Sequence, residues 1–144
     1  MNHLEQAIQF RETYRQPILS RYSDRIASGL REALDTKTLN MQLGCINEEA
    51  RELNEAVEQF AEAYGGEQSA LLEAKAHMLK ELADLAYVCY QLAAFLGLDL
   101  HAALDLVHES NMSKLDPDGN PIFNEKGKVM KGPGYRAPDL SGLV

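Results

Sequence analysis

Two long heptad repeats, separated by the pair Gly65-Gly66, constrain the fold more than any other feature of this sequence. Apolar residues recur in both at steps of three and four, the spacing at which a helix presents one continuous stripe. The first repeat comprises Leu39, Leu43, Ile46, Ala50, Leu53, Val57 and Phe60, and the second comprises Leu71, Met78, Leu82, Leu85, Cys89, Leu92 and Leu96. Two such stretches predict a pair of long antiparallel helices.

The N-terminal residues 1–35 are predicted to form additional helices. Residues 3–16 have a helical pattern that ends at Pro17, and apolar residues at i, i+4 steps predict a second helix over residues 18–34. Asp35 or Thr36 is the expected N-cap of the first long helix.

A shorter helix and an irregular tail complete the chain. The helix is expected from Asp99, its N-cap, to about Lys114. The remaining residues 115–144 are rich in Gly, Lys and Pro and predict a flexible segment that forms a loop or short hairpin. The fold class is therefore all-α, an antiparallel helix bundle in a single domain of residues 1–144, with its helical core at 36–114.

Composition excludes several classes of protein. A net charge of −8 over 144 residues argues against a nucleic-acid binder, and the chain has no apolar run that would cross a bilayer. The N-terminus lacks the apolar core of a secretory signal. Cys45 and Cys89 lie within apolar helical patterns and are interpreted as small core residues of a protein in a reducing compartment. We therefore expect a cytoplasmic protein with no membrane partner.

Both long helices carry carboxylates on a second face. Because successive helical residues turn by about 100°, Glu81 and Asp84 share one stripe with His77, Val88, Gln91 and Phe95. The lower half of that stripe is apolar, so we expect something to cover it and to bury the two acids at least partly. On the preceding helix the acids are Glu48, Glu49 and Glu52, beside the small residues Cys45, Ala56 and Ala63.

Grouped carboxylates of this kind have three possible explanations. They are exposed to solvent, they pair with cationic side chains, or they share divalent cations. Arg51 is expected to point elsewhere, and Lys80 is expected to lie off the line of Glu81. If a metal is bound, ligands that are all carboxylates favour Mg²⁺ or Mn²⁺ over zinc or copper. The spacing alone leaves all three explanations open.

The tail offers cationic residues that suit phosphate oxygens. Asn111 and Lys114 share a face at the end of the last helix, and Lys128 and Lys131 lie among glycines in "GKVMKGPGY". The alternative is a disordered and merely solubilising C-terminus.

These residues resemble a known family. The motif EExxE in "EEARE" (residues 48–52), followed by ExxD in "ELAD" (residues 81–84), is similar to that of the all-α nucleoside triphosphate pyrophosphohydrolases. That superfamily includes MazG-like enzymes, dimeric dUTPases and phosphoribosyl-ATP pyrophosphohydrolase. The segment from "HESNMSKL" to "GKVMKGPGYRAPDL" resembles the C-terminal signature of the MazG-like and phosphoribosyl-ATP-pyrophosphohydrolase-like branch. The resemblance covers roughly residues 38–140.

The resemblance implies both an activity and a site. The activity is Mg²⁺-dependent cleavage of a (d)NTP to a (d)NMP and pyrophosphate, with phosphoribosyl-ATP hydrolysis as the alternative. The implied metal ligands are Glu49, Glu52, Glu81 and Asp84, and Glu48 would activate water or join the metal shell. The implied substrate-binding residues are Asn111, Lys114, Lys128, Lys131 and Tyr135. A homodimer or homotetramer is expected, because each long helix has more apolar surface than one small chain can bury.

Two other classes remain open at this level. One is a carboxylate-bridged di-iron bundle, for which Asp105 and His108 have i, i+3 spacing but the acid helices carry no Glu-x-x-His pair. The other is a non-enzymatic helical oligomer whose acids form a solvated face. His77 is left out of the site, and Gln42 is a possible contact of the base or sugar.

Overall fold

The computed structural model describes residues 1–19 and 28–144, with the backbone alone for residues 28–34. Over these residues the secondary structure consists of four α-helices and a short 3-10 helix, without a named strand, which confirms the all-α prediction. The α-helices are α1 (His3–Thr13), α2 (Ser28–Ala63), α3 (Gln68–Leu96) and α4 (Leu100–Met112), and the 3-10 helix is Ser141–Leu143.

The two heptad repeats form α2 and α3, which pack against each other along a helical hairpin. Gly65, in the connection, has a φ of 84°, a left-handed conformation that favours glycine. Gly97 ends α3 in the same region, at a φ of 71°, and its N–H donates to the carbonyls of Ala93 and Ala94. A glycine in the left-handed conformation therefore follows the C-terminal end of each heptad helix.

The predicted start of the first long helix at Asp35 or Thr36 is wrong, because α2 begins at Ser28 and runs through both residues. Aspartate and threonine cap a helix only where the preceding chain leaves the helical conformation, and the residues just before them are good helix formers. Of the helix predicted over 18–34, residues 20–27 lie outside the described residues and the remainder from 28 belongs to α2.

Helix α1 packs on the C-terminal half of α3 and covers the apolar end of the acid stripe. Ala7 of α1 and Gln91 and Phe95 of α3 are all buried. The Gln91 Nε2 donates to the carbonyl oxygen of Ala7 at 3.3 Å. The expected cover of the lower half of the stripe is therefore α1, whose own start is fixed by a capping box between Asn2 and Glu5.

Arg11 of α1 is fully buried at this contact. Its Nε donates to the carbonyl oxygen of Pro17 at 2.8 Å, and its Nη1 lies 3.3 Å from Gln91 Oε1. The guanidinium carbon stands 5.3 Å from the centre of the Phe95 ring. Burial lowers the pKa of Arg11 from its ordinary value, since desolvation disfavours the charged form. A buried guanidinium with these directed contacts fixes the register of α1 on α3.

The described chain forms two compact units, Met1–Gly97 and Leu98–Val144. The second contains α4, whose N-terminus is capped by Asp99 as predicted, since the Asp99 side chain accepts from the N–H of Ala102 at 3.0 Å. Beyond α4 a tight turn is closed by an isolated bridge between Phe123 and Val129. The assignment of residues 1–144 to one domain stays a prediction.

Among the described residues no single helix is both long and apolar enough to cross a membrane; α3 and α4 reach that threshold only when counted together as a bent pair.

Replacing Arg11 with alanine should lower the free energy of unfolding by about 2–3 kcal/mol, because the variant loses several hydrogen bonds and leaves a cavity beside Phe95. Urea unfolding followed by circular dichroism measures this. Arg51→Ala is the control: Arg51 is exposed and bonded to Glu55 in a surface pair, so its loss should cost less than about 1 kcal/mol. Equal effects of the two substitutions would contradict a structural role for Arg11.

Candidate active site

Three carboxylates from the two long helices converge. Glu49 and Glu52 lie at i, i+3 on one face of α2, and Glu81 faces them from α3. One carboxylate oxygen from each residue lies within 4.8 Å of the other two. We call these three residues the acid cluster. The antiparallel packing of α2 and α3 is what brings together residues that are about 30 positions apart in sequence.

Burial makes this cluster costly for the fold. Glu81 is one of the largest fully buried side chains among the described residues. The Oε2 atoms of Glu81 and Glu49 are both inaccessible to solvent and have no hydrogen-bond partner in the described structure. Buried carboxylate oxygens without a donor are strongly unfavourable unless a cation or proton satisfies them. The cluster therefore has the properties of a cation site.

The electrostatics of Glu49 lead to the same conclusion. Burial raises the pKa of Glu49 above its usual range, and the negative charges of Glu52, Asp84 and Glu81 raise it further. The positive charge of Lys80 acts in the opposite direction but does not cancel these effects. The acid cluster is therefore short of positive charge, which a bound divalent cation would supply.

Asp84, the fourth predicted metal ligand, is outside the acid cluster and is held by Lys80. The Lys80 Nζ lies 2.8 Å from Asp84 Oδ2 and 3.0 Å from Glu81 Oε1. Hydrogen bonds to Asp84 and Glu81 raise the pKa of Lys80, so its ammonium stays charged. Lys80 leaves the helix off the line of Glu81, but its long and flexible side chain still reaches both acids. The inference that it would not pair with them is therefore wrong.

Arg51 forms a long ion pair with one member of the acid cluster and a shorter one with Glu55 outside it. Its Nη1 bonds Glu55 Oε1 at 2.7 Å, while its Nη2 is 3.8 Å from Glu52 Oε1. The expectation that Arg51 points elsewhere is therefore wrong for Glu52, because the long side chain reaches back to this neighbour on α2. Glu48, the predicted base, is exposed on α2 and is not one of the three converging carboxylates.

Two residues contact the acids although the helical pattern of the sequence places neither in the site. The Nδ1 of His77 lies 3.5 Å from Glu81 Oε1, and Lys80 contacts both Glu81 and Asp84. The signal for both was present in the sequence as i, i+4 spacing, His77 to Glu81 and Lys80 to Asp84.

Gln42, the possible base contact, is buried on α2.

The donor atoms decide which cations fit the acid cluster. All three converging ligands are carboxylate oxygens, and Asp84 could add a fourth. Hard cations such as Mg²⁺ and Mn²⁺ prefer oxygen ligands, whereas zinc and copper favour histidine and cysteine. The buried Oε2 atoms of Glu49 and Glu81, which lack donors, supply ligands that are already desolvated. The residues present therefore fit a hard divalent cation.

The predicted substrate-binding residues all lie in the second unit, and the structure brings several of them together there. The N–H of Gly132 donates to the carbonyl oxygen of Lys114 at 3.1 Å, which joins the tail to the end of α4. The neighbouring Lys131 places its Nζ 4.6 Å from the centre of the Tyr135 ring. Asn111 is exposed in the last turn of α4. Lys114, Lys131 and Tyr135 are thus near neighbours through the Gly132 segment.

A second anchor fixes the tail next to these residues. The Ser110 Oγ donates to the carbonyl oxygen of Arg136 at 2.7 Å, and the N–H of Arg136 donates to Ser113 Oγ at 2.9 Å. Lys128 lies apart on the turn after α4, where its N–H donates to Asn124 Oδ1 at 2.9 Å and its side chain is exposed. The structure therefore does not bring Lys128 to the other substrate-binding candidates by any described contact.

The fold and the acids together define a class of protein. Two long antiparallel helices, with EExxE on one and ExxD on the other, are the arrangement of the all-α nucleoside triphosphate pyrophosphohydrolase superfamily. Within it, the model of the family described as Phosphoribosyl-ATP pyrophosphohydrolase matches residues 22–111. That match covers more than half of the 144 residues, so the chain belongs to this family. Among curated proteins none matches the chain.

The extent of the match differs from that of the resemblance noted from the motifs. The match begins earlier, at residue 22 instead of 38, and ends at Asn111. It therefore includes the five predicted metal-binding and catalytic acids but excludes the lysine-containing tail. Family membership points to a pyrophosphohydrolase enzyme. The roles of Lys114, Lys128, Lys131 and Tyr135 stay predictions.

Gly132→Ala should loosen the tail where Lys131 and Tyr135 are held. A Cβ at Gly132 would collide with the carbonyl group of Leu115, which is backbone and cannot move aside cheaply. We expect the amides of residues 130–136 to exchange hydrogen about tenfold faster, with little change in α2 and α3. Hydrogen-exchange mass spectrometry measures this.

Gly134→Ala is the matched control, because a Cβ there meets nothing within 4 Å and the backbone φ is not in the left-handed range. If both variants exchange like the wild type, the contact between Gly132 and the end of α4 does not hold the tail.

Proposed function

We propose that this protein is a divalent-metal-dependent nucleotide pyrophosphohydrolase that cleaves the bond between the α and β phosphates of a (d)NTP. The products are the (d)NMP and pyrophosphate. The observation that carries the proposal is the convergence of Glu49, Glu52 and Glu81 within 4.8 Å, with buried oxygens that lack a donor. Membership of a pyrophosphohydrolase family supports the same reaction.

In this proposal four acids hold the metal and a fifth handles the proton. Glu49, Glu52, Glu81 and Asp84 are the ligands, and their oxygens suit Mg²⁺, with Mn²⁺ as a substitute. Bound there, the metal would neutralise phosphate charge and lower the pKa of a coordinated water. Glu48 is exposed and adjacent to Glu49, so it can accept a proton from the attacking water as general base.

Cationic residues of the second unit are the proposed partners of the nucleotide. A protein with a net charge of −8 needs local positive charge to bind a triphosphate. Lys114 and Lys131, with the intervening Gly132 contact, offer two ammonium groups on one short stretch of structure. We assign them, together with Lys128, to the phosphates, and Asn111 and Tyr135 to other parts of the nucleotide.

A second candidate substrate is phosphoribosyl-ATP, and the family description favours it directly. Both candidates carry a triphosphate from which pyrophosphate can leave, so the same acids and lysines would serve either. They differ in the group carried on the base, whereas the acid cluster is proposed to act on the phosphates. The choice between them therefore depends on the nucleobase pocket and not on the metal site.

Pyrophosphate release tests the proposal. The protein, with Mg²⁺ or Mn²⁺, is offered canonical and damaged NTPs and dNTPs, dUTP and phosphoribosyl-ATP, and release is followed by a coupled assay. We expect metal-dependent release from at least one compound and a loss of at least about 100-fold in Glu81→Gln, since a buried metal ligand is removed.

Glu62→Gln provides the control for the loss of one carboxylate from this acidic chain, because Glu62 is exposed near the end of α2. It should retain wild-type activity. No release from any compound, or full activity in Glu81→Gln, would contradict the proposed function. The preferred compound separates the (d)NTP enzyme from the phosphoribosyl-ATP enzyme.

We also propose that the protein acts as a homodimer or homotetramer, because large apolar residues of both heptad helices remain exposed. Leu43 on α2 is 54% exposed and Leu79 on α3 is 67% exposed. The exposed large apolar residues on the described parts of the two helices are Leu39, Met41, Leu43, Val57, Leu72, Leu79, Leu82 and Tyr87. Exposed apolar residues in such number on one hairpin are typical of an interface between copies of a chain.

Light scattering coupled to size exclusion measures the assembly. Leu43→Glu and Leu79→Glu should each shift the wild-type oligomer towards monomer, because a charge would be buried in an apolar contact. Gln59→Glu, which adds the same charge on the opposite side of α2, should leave the mass unchanged. A wild-type monomer would contradict this proposal.

The proposal of a cytoplasmic enzyme is supported by Cys45 and Cys89, which are both free thiols. Unpaired cysteines are usual in a reducing compartment.

A further inference from the structure

Lys80 has an unusual position beside the acid cluster. Its Nζ contacts Asp84 Oδ2 at 2.8 Å and Glu81 Oε1 at 3.0 Å, so one ammonium bridges two proposed metal ligands. The Lys80 side chain is 61% exposed, whereas that of Glu81 is 3% exposed. Lys80 therefore reaches from solvent to an oxygen of a buried carboxylate.

A single ammonium group is an incomplete counter-ion for this site. Three carboxylates converge there with Asp84 beside them, and Lys80 offers one positive charge, which it shares between Glu81 and Asp84. The Oε2 atoms of Glu81 and Glu49 remain buried and without a donor. A divalent cation placed among the same oxygens would interact more strongly with them than the ammonium does.

The Lys80 side chain can move away from Glu81 and Asp84 without disturbing the fold. Its charge is carried on a flexible four-carbon stem, and most of that stem is already in contact with solvent. Movement of the side chain would free Asp84 Oδ2 and Glu81 Oε1 for a metal while α3 stays in place. The Glu81 side chain, by contrast, is buried and has little room to move.

Once a divalent cation is present, the displaced ammonium is repelled by it. The repulsion is relieved when an anion lies between the two, and the phosphate chain of a nucleotide is such an anion. Lys80 would then favour nucleotide binding to the metal-loaded site. Metal and nucleotide would each raise the affinity of the other, since such coupling is reciprocal.

We propose that Lys80 is a displaceable counter-ion, which holds Glu81 and Asp84 before metal binds and contacts a substrate phosphate afterwards. It thereby makes the binding of metal and nucleotide cooperative. This inference rests on the proposed function, because it assigns a regulatory and substrate-contacting role at the same site. The rival explanation is an ordinary surface ion pair on α3, which would have no effect on metal or nucleotide binding.

Mn²⁺ binding to Lys80→Met tests the inference. Methionine keeps an unbranched apolar stem and a high helix propensity but removes the charge. Binding of Mn²⁺ is measured by electron paramagnetic resonance, without nucleotide and with the α,β-imido analogue of the preferred compound from the release assay. Melting curves by circular dichroism confirm that each variant is folded.

Opposite effects in the two conditions are expected. Without nucleotide, Lys80→Met should bind Mn²⁺ about threefold to fivefold more tightly than the wild type, because the competing ammonium is gone. The factor by which the analogue raises the affinity for Mn²⁺ should fall by a similar amount, about threefold to fivefold, because the phosphate loses a partner. Lys80→Arg should keep most of that factor.

Lys75→Met is the matched control, since Lys75 is exposed on the same helix and makes no described contact with the acids. It should match the wild type in both conditions. Unchanged or weaker binding of Mn²⁺ to Lys80→Met without nucleotide overturns the counter-ion role. An unchanged effect of the analogue overturns the phosphate contact.

The proposed function fails in a different way. If the wild type and Glu81→Gln are alike in binding no Mn²⁺, and no compound releases pyrophosphate, the metal site itself is wrong and the inference falls with it. If the wild type binds Mn²⁺ and hydrolyses a compound while Lys80→Met behaves like Lys75→Met, the inference alone is wrong.

Discussion

The burial of the Glu81 carboxylate between two helices is the constraint on which the site depends. The heptad stripes of α2 and α3 provide the apolar packing that holds this charge away from water. The same packing places Glu81 against Glu49 and Glu52 and raises the pKa of Glu49. The packing that stabilises the hairpin thus also buries its acids, and a bound cation would offset the electrostatic cost of that burial.

Part of this arrangement was predictable from the sequence. The helical hairpin follows from the heptads and the glycine pair, and the cover over Phe95 follows from an apolar stripe that one helix could not hide alone. The start of α2 at Ser28 was missed, because cap signals are local and the preceding residues favour helix equally well. The partners of Glu81 were missed because helical-wheel positions describe where a side chain leaves the backbone. They do not describe where a long lysine ends.

The family match covers the acids of the first unit but not the lysines of the tail in the second unit. The acids lie inside the family match, which ends at Asn111, and their geometry is consistent with the chemistry that the family performs. The lysines of the tail lie beyond the match, and the argument for them is their charge and their attachment to α4 through Gly132.

Helix α1 lies outside the family match but packs against a helix inside it. The family match begins at residue 22, yet Arg11 from before that point is buried against Gln91 and Phe95 from well inside it. A fragment cut at the start of the match would expose the aromatic end of α3 to water. The segment that the family model matches is thus shorter than the packed segment, because α1 lies outside the match and still contributes buried side chains to the contact with α3.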